Sequence, residues 1–166
     1  LPFVLFNSPS RSGVHLDVDF ISRLLSSTEK FIAVKESTGD VVELQRLRNV
    51  CGEQLTILQG MESLFLPSLA AGADGGILAA ANLCPKHLLA VFTLWSAKQT
   101  ITAQRKHLEL MDLIDILYSD GHPAPLKYAL NLVGRPVGNT RRPLYAPEEQ
   151  TRLRLRDELD RIGLLQ

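Results

Sequence analysis

Short apolar runs alternate along the first half of the chain with segments whose apolar residues recur at helical spacing. Pro2 to Phe6, Phe31 to Val34 and Leu55 to Leu58 are uninterrupted runs that predict buried strands. Asp74 to Leu78 predicts a fourth, weakened by Gly75 and Gly76. Between them, Leu16 to Leu25 carries Ile21, Leu24 and Leu25 on one face, with Asp17 placed to cap it. Thr38-Gly39-Asp40 is a turn and cap, after which Val41, Leu44 and Leu47 share a helical face. Met61 to Ala71 predicts a helix that Gly72 stops. Strands that are apolar without alternation are buried on both faces. Their regular alternation with helices therefore predicts an α/β fold with a parallel sheet.

Beyond Pro85 the pattern is helical only. Helices are expected over Lys86 to Ser96, over Thr102 to Tyr118 as one long element with Leu108, Met111, Ile114 and Leu117 in phase, and over Leu126 to Val133. A last one, Glu148 to Ile162, carries Leu155, Leu159 and Ile162 as its stripe. Gly121 to Pro125 is a rigid turn and Gly134 to Pro147 a loop. The change of pattern near Asn82 to Pro85 divides the chain into residues 1–84 and 85–166. Four strand–helix units are too few for a complete (β/α)8 barrel of about 250 residues. They suit a small open sheet or half a barrel. Leu1 opens the chain directly in a strand-like run, so an N-terminal portion is expected to precede it.

Composition narrows the partners. The chain has 166 residues, 45% of them hydrophobic, with 18 basic and 18 acidic side chains. A net charge of zero gives no electrostatic pull toward nucleic acid or an acidic membrane. The adjacent Arg141 and Arg142 read as a surface turn. No run is long and apolar enough to span a bilayer. Cys51 and Cys84 are too few for a disulfide framework and suit a reducing, cytoplasmic setting. The four histidines are scattered without ligand spacing, so no metal site is expected.

Lys35 is the first candidate for chemistry. It closes the run Phe31-Ile32-Ala33-Val34, and the C-terminal ends of parallel strands are where barrels and open sheets carry their sites. Partial desolvation disfavours an ammonium and yields an amine able to attack a ketone and form a Schiff base. On position alone, a lysine whose head group simply reaches water is the slightly better reading. Glu36 and Asp40 fall in the expected loop after it, where Asp40 suits a helix cap and a carboxylate near Lys35 would tune the amine. Arg11, after the first strand, has the planar fork that suits a substrate carboxylate, although from its position alone a salt bridge on a loop is the favoured reading. Gly75-Gly76 permits close approach of a ligand to the backbone. A phosphate cradle built on that pair alone is a weak reading, because no phosphate-binding glycine motif accompanies it.

Taken together and in order, these segments resemble the dihydrodipicolinate synthase / N-acetylneuraminate lyase family. Leu5-Phe6-Asn7-Ser8-Pro9-Ser10-Arg11-Ser12-Gly13 resembles its Tyr-Asn-x-Pro-x-Arg-Thr-Gly segment. Ile32-Ala33-Val34-Lys35-Glu36-Ser37-Thr38-Gly39-Asp40 resembles its Schiff-base strand. Leu58-Gln59-Gly60, the segment from Gly72 through Ile77 to Asn82, and Gly121 to Lys127 match later segments. The resemblance implies a (β/α)8 TIM barrel of which this chain holds the C-terminal half, strands five to eight, followed by C-terminal helices. It implies a class I aldolase-type lyase in which Lys35 is the covalent catalyst, with no cofactor and no metal. Pyruvate or a related 2-keto acid would be the first substrate. An aldehyde, aspartate semialdehyde in the branch leading to lysine, would be the second. It further implies that Arg11 contacts the second substrate's carboxylate, that Gly60 lines the pocket, and that the backbone at Gly76 and Ile77 lies beside the keto acid. The threonine-containing loop that holds the keto acid's carboxylate in the family is not among these residues. A homo-oligomer is also implied.

Phe6 stands where the family has a proton-shuttling tyrosine, and a phenyl ring relays no proton. Losing a general acid or base typically slows a reaction by about 10²–10⁴-fold. The competing expectation is a non-catalytic half-barrel that self-associates through its open edge or needs an N-terminal half.

Overall fold

The computed structural model describes residues 1–165. The chain forms two compact units, Leu1–Leu78 and Ala79–Gln166, so the division falls between Leu78 and Ala79.

The first unit is a four-stranded parallel sheet in sequential order: β1 (Phe3–Asn7), β2 (Phe31–Glu36), β3 (Thr56–Gln59) and β4 (Gly75–Gly76). Sequential parallel order with a helical crossover at each step is the geometry of a barrel segment. The crossovers are α2 (Val18–Ser27), α3 (Val41–Cys51) and α4 (Phe65–Ala70), while α1 (Pro9–Ser12) is a single turn after β1. Both expected caps form: Asp17 accepts from the Phe20 N–H at 2.7 Å, and Asp40 from those of Val42 and Glu43 at 2.8 and 3.1 Å. Ile21, Phe31, Val34, Leu44, Leu47, Leu55 and Ile57 form one buried cluster between helices and sheet. Each such side chain contributes about 1.5–3 kcal/mol of burial.

Three expectations need correcting here. Glu36 is not in a loop; it is the last residue of β2 and is buried. Met61 to Ala71 is not one helix: a 3₁₀ turn over Glu62–Leu64 precedes α4, and Pro67 falls within the first turn of α4, where its missing N–H does no harm. The strand expected over Asp74 to Leu78 narrows to Gly75–Gly76, although the Asp74 N–H to Ile57 O bond (2.8 Å) and the Ile77 N–H to Gln59 O bond (2.9 Å) extend its pairing at both ends.

The second unit holds α5 (Pro85–Ser96), α6 (Thr100–Leu108), α7 (Met111–Ser119), α8 (Ala124–Leu132) and α9 (Glu149–Arg161). Here α5 packs on α6, and α7 and α8 pack on α9, burying Leu155 and Leu159 of the expected stripe. The single helix expected from Thr102 to Tyr118 is two. The Leu110 N–H bonds back three residues to His107 rather than four, which tightens the chain into a turn between α6 and α7. Leu108 is thereby left exposed and Leu110 buried. No Gly or Pro marks this break, which is why hydrophobic periodicity ran through it. No helix among the described residues is long and apolar enough to cross a membrane.

Candidate active site

In a strand, alternate residues leave on opposite faces. The register therefore sorts the C-terminal end of the sheet into two rows. Phe6, Lys35, Leu58 and Gly75 are paired across β1 to β4 on one face. Asn7, Glu36, Gln59 and Gly76 are paired on the other.

The first row holds Lys35. Its side chain is half-buried and its Nζ lies 4.5 Å from the centroid of the Phe6 ring, the cross-strand neighbour. The aliphatic stem passes over Gly60. A Cβ built on residue 60 would stand 2.8 Å from Lys35 Cε, 1.9 Å from Ser37 Oγ and 3.1 Å from the Glu36 carbonyl oxygen. Gly60 is held there by its N–H, which donates to Glu36 O at 2.7 Å. The absence of a side chain at residue 60 is thus what lets the lysine and the serine share this corner.

The second row is a buried polar network that the sequence did not single out as a unit. Asn7 is fully buried; its Nδ2 donates to Glu36 Oε2 at 2.8 Å and to the Leu16 carbonyl at 3.0 Å, and its Oδ1 accepts from the Leu16 N–H at 3.2 Å. Glu36 Oε1 accepts from the Thr38 N–H at 2.6 Å. Gln59 Oε1 accepts from the N–H groups of Gly60 and Met61 at 2.7 and 2.8 Å, and its Nε2 donates to Ser68 Oγ. Burial pushes the Glu36 carboxyl above its ordinary range, against the opposing pull of the bonds from Thr38 and Asn7. The network ties β1, β2 and the loop leaving β3 into one register directly behind Lys35. Glu36 therefore faces away from the lysine and braces its strand from the opposite side of the sheet.

The remaining candidates divide. Ile77 is exposed beside the end of β3, bonded to it through its N–H. Gly76 is close to its neighbours for a reason internal to the protein: a Cβ there would meet Phe65 Cε2 and Leu78 Cγ at 3.0 Å and Gln59 O at 3.1 Å. Gly75 has only an ordinary contact at 3.6 Å. Packing thus accounts for Gly76 without a phosphate, and nothing around Gly75 requires a glycine there. Arg11 lies in α1, exposed, and its guanidinium makes no hydrogen bond or ion pair among the described residues. The loop salt bridge that would account for it is therefore not formed. Among the described residues no group of three or more His, Cys, Asp or Glu is placed to hold a metal ion.

Comparison with known proteins agrees with this geometry. The model of the dihydrodipicolinate synthetase family matches residues 1–162. The chain is 34% identical to a 4-hydroxy-tetrahydrodipicolinate synthase of Methanopyrus kandleri over 99% of its own length and 55% of the relative's. It is similar in structure to the dihydrodipicolinate synthase of Aquifex aeolicus (TM-score 0.94, 30% identity, 99% of this chain and 56% of that one). It is also similar to the chloride-inhibited dihydrodipicolinate synthase of Acinetobacter baumannii complexed with pyruvate (TM-score 0.92, 31% identity, 99% and 56%). The chain spans about half the length of the curated relatives it matches. These matches fix the family and the share of its length. They do not support the expectation that the chain is the C-terminal half, strands five to eight.

Proposed function

The chain belongs to the dihydrodipicolinate synthetase family, and on that premise we propose that Lys35 forms a Schiff base with pyruvate, which then condenses with aspartate semialdehyde. The observation that carries the reading is the placement of the Lys35 amine at the C-terminal end of a parallel strand, over the Phe6 ring, with its stem threaded past Gly60. A relative of the same fold holding pyruvate supports the choice of keto acid. In this reading the Lys35 nitrogen attacks the keto carbon, water leaves, and the resulting iminium draws electrons from the adjacent methyl so that it loses a proton and becomes a nucleophile. The amine is the covalent catalyst and no cofactor or metal takes part. Arg11, free of internal partners, receives the carboxylate of the aldehyde substrate. Gly60 and the backbone of Gly76 and Ile77 line the keto acid's side. Production of a lysine precursor in the cytoplasm by a homo-oligomer follows from the same family reading.

The test is reductive trapping. Incubation with pyruvate and borohydride is expected to add mass irreversibly to one peptide, that containing Lys35, and Lys35→Ala is expected to abolish it. A folded chain that gains no mass, beside a full-length relative that does, would sink the proposal. That outcome would favour a second reading, motivated by the exposed apolar residues on the lysine's side of the sheet: this stretch becomes active only when the half of the family's length that it does not span is joined to it.

A further inference from the structure

Buried hydroxyl groups nearly always have a hydrogen-bond partner. Ser37 Oγ is buried and has none among the described residues. Its position makes the exception informative. The Ser37 N–H continues the β1–β2 ladder by donating to Asn7 O at 2.9 Å, so Ser37 follows the strand's alternation and leaves the backbone on the same face as Lys35, two residues earlier. Ser37 Oγ and Lys35 Cε both crowd the single point where a side chain on Gly60 would stand, at 1.9 and 2.8 Å. On the amine's other flank is Phe6, whose ring lies 4.5 Å from Nζ and carries no hydroxyl. A hydroxyl without a partner and the stem of Lys35 thus share one corner, on a chain whose aromatic neighbour offers the amine nothing to exchange protons with.

We propose that Ser37 is a catalytic residue whose hydroxyl relays the proton in carbinolamine formation at Lys35. The inference rests on the Schiff-base reading above. As the neutral Lys35 nitrogen bonds to the keto carbon, the carbonyl π pair moves onto oxygen, giving an N⁺–H and an O⁻ attached to the same carbon. Ser37 Oγ–H gives its proton to that oxygen and takes one from the nitrogen. The products are a neutral carbinolamine and an unchanged serine, with no oxidant, reductant or further reactant.

The experiment measures the rate at which the chain gains pyruvate under cyanoborohydride, by intact mass, for the parent, Ser37→Ala, Ser37→Thr, Phe6→Tyr and Phe6→Tyr/Ser37→Ala. Removing a proton-transfer group is expected to slow trapping by about 10²-fold or more in Ser37→Ala. Ser37→Thr, which keeps the hydroxyl, is expected to trap close to the parent rate. A tyrosine at residue 6 is expected to restore the trapping rate when it is added to Ser37→Ala. Since the hydroxyl has no partner to lose, Ser37→Ala is expected to melt no lower than the parent. A Ser37→Ala chain that traps as fast as the parent overturns the inference and leaves the Schiff-base reading standing. So does a tenfold acceleration by Phe6→Tyr alone, a measurement that does not depend on any serine variant folding. A parent chain that takes up no pyruvate overturns both.

Discussion

A side-chain carbon on residue 60 would occupy space that Ser37 Oγ and Lys35 Cε already fill and would itself stand 3.1 Å from the Glu36 carbonyl oxygen. Gly60→Ala is therefore expected to push the lysine stem off its path and to cost about 1–3 kcal/mol, the usual penalty of overpacking a tight site. Urea unfolding would read the stability loss and pyruvate trapping the displaced amine. Gly75→Ala serves as the contrast. Its Cβ would meet only Leu58 Cδ2 at 3.6 Å, so a change within about 0.5 kcal/mol is expected. Equal losses at the two glycines would show that the crowding over Gly60 has no special consequence. At this scale the sequence was legible where the signal is local. Lys35 at a strand end, Asp17 and Asp40 as caps, and a glycine closing the third strand are all visible in a few adjacent letters. Ser37 was not, because a serine two residues after a lysine has no signature. Its meaning comes from Gly60, brought to it across the sheet by the β2–β3 register.

Among elements, β2 is the one whose two faces do different work: Lys35 on one, Glu36 on the other. Adjacency in sequence makes Glu36 a carboxylate that could tune the amine; strand alternation turns the two apart and gives the carboxylate to Asn7 and Thr38 instead. Its titration then becomes a property of the fold. Burial raises its folded-state value above the ordinary 4.5. A carboxyl whose folded value is raised binds its proton more tightly in the native state. The stability it lends is present in full below the ordinary value and is lost as pH rises through the raised one. Glu36→Gln, which carries no charge at any pH, is expected to lack this loss while forgoing one of the two accepted hydrogen bonds. The stability of the variant minus that of the parent should therefore rise as the pH is taken above the ordinary 4.5 in denaturant titrations. Parallel curves would show that the buried carboxyl titrates as it does in the unfolded chain. The break between α6 and α7 lay beyond sequence reading for a related reason. Periodicity reports which side a residue faces, and a one-residue tightening that resumes nearly in phase leaves that pattern almost intact.

For the molecule as a whole, the decisive feature is what the sheet leaves uncovered. Its order places β1 at an edge, paired only with β2 among the described residues. Val4 and Phe6, on the lysine's side of the sheet, are 45% and 51% exposed, and Phe3 and Ile32 nearby are 39% and 45% exposed. The pattern of apolar runs predicted strands buried on both faces, and that holds for Ile57 and Val34 against the helices but not for this side of β1. The difference follows from length. The runs carry the composition suited to a closed barrel, whereas the four strands close only part of one, and the chain spans about half of each relative's length. An open strand edge beside bare apolar side chains favours pairing with another copy. The 166-residue chain is accordingly expected to scatter light with an average mass above that of one chain, rising with concentration. Val4→Lys, which sets a charge on that edge, is expected to lower the average mass while leaving the melting transition in place. A parent chain that stays monomeric across the concentration series would mean that the exposed side of β1 is tolerated by water as it stands. Self-association would then play no part in how this stretch of the family fold is used.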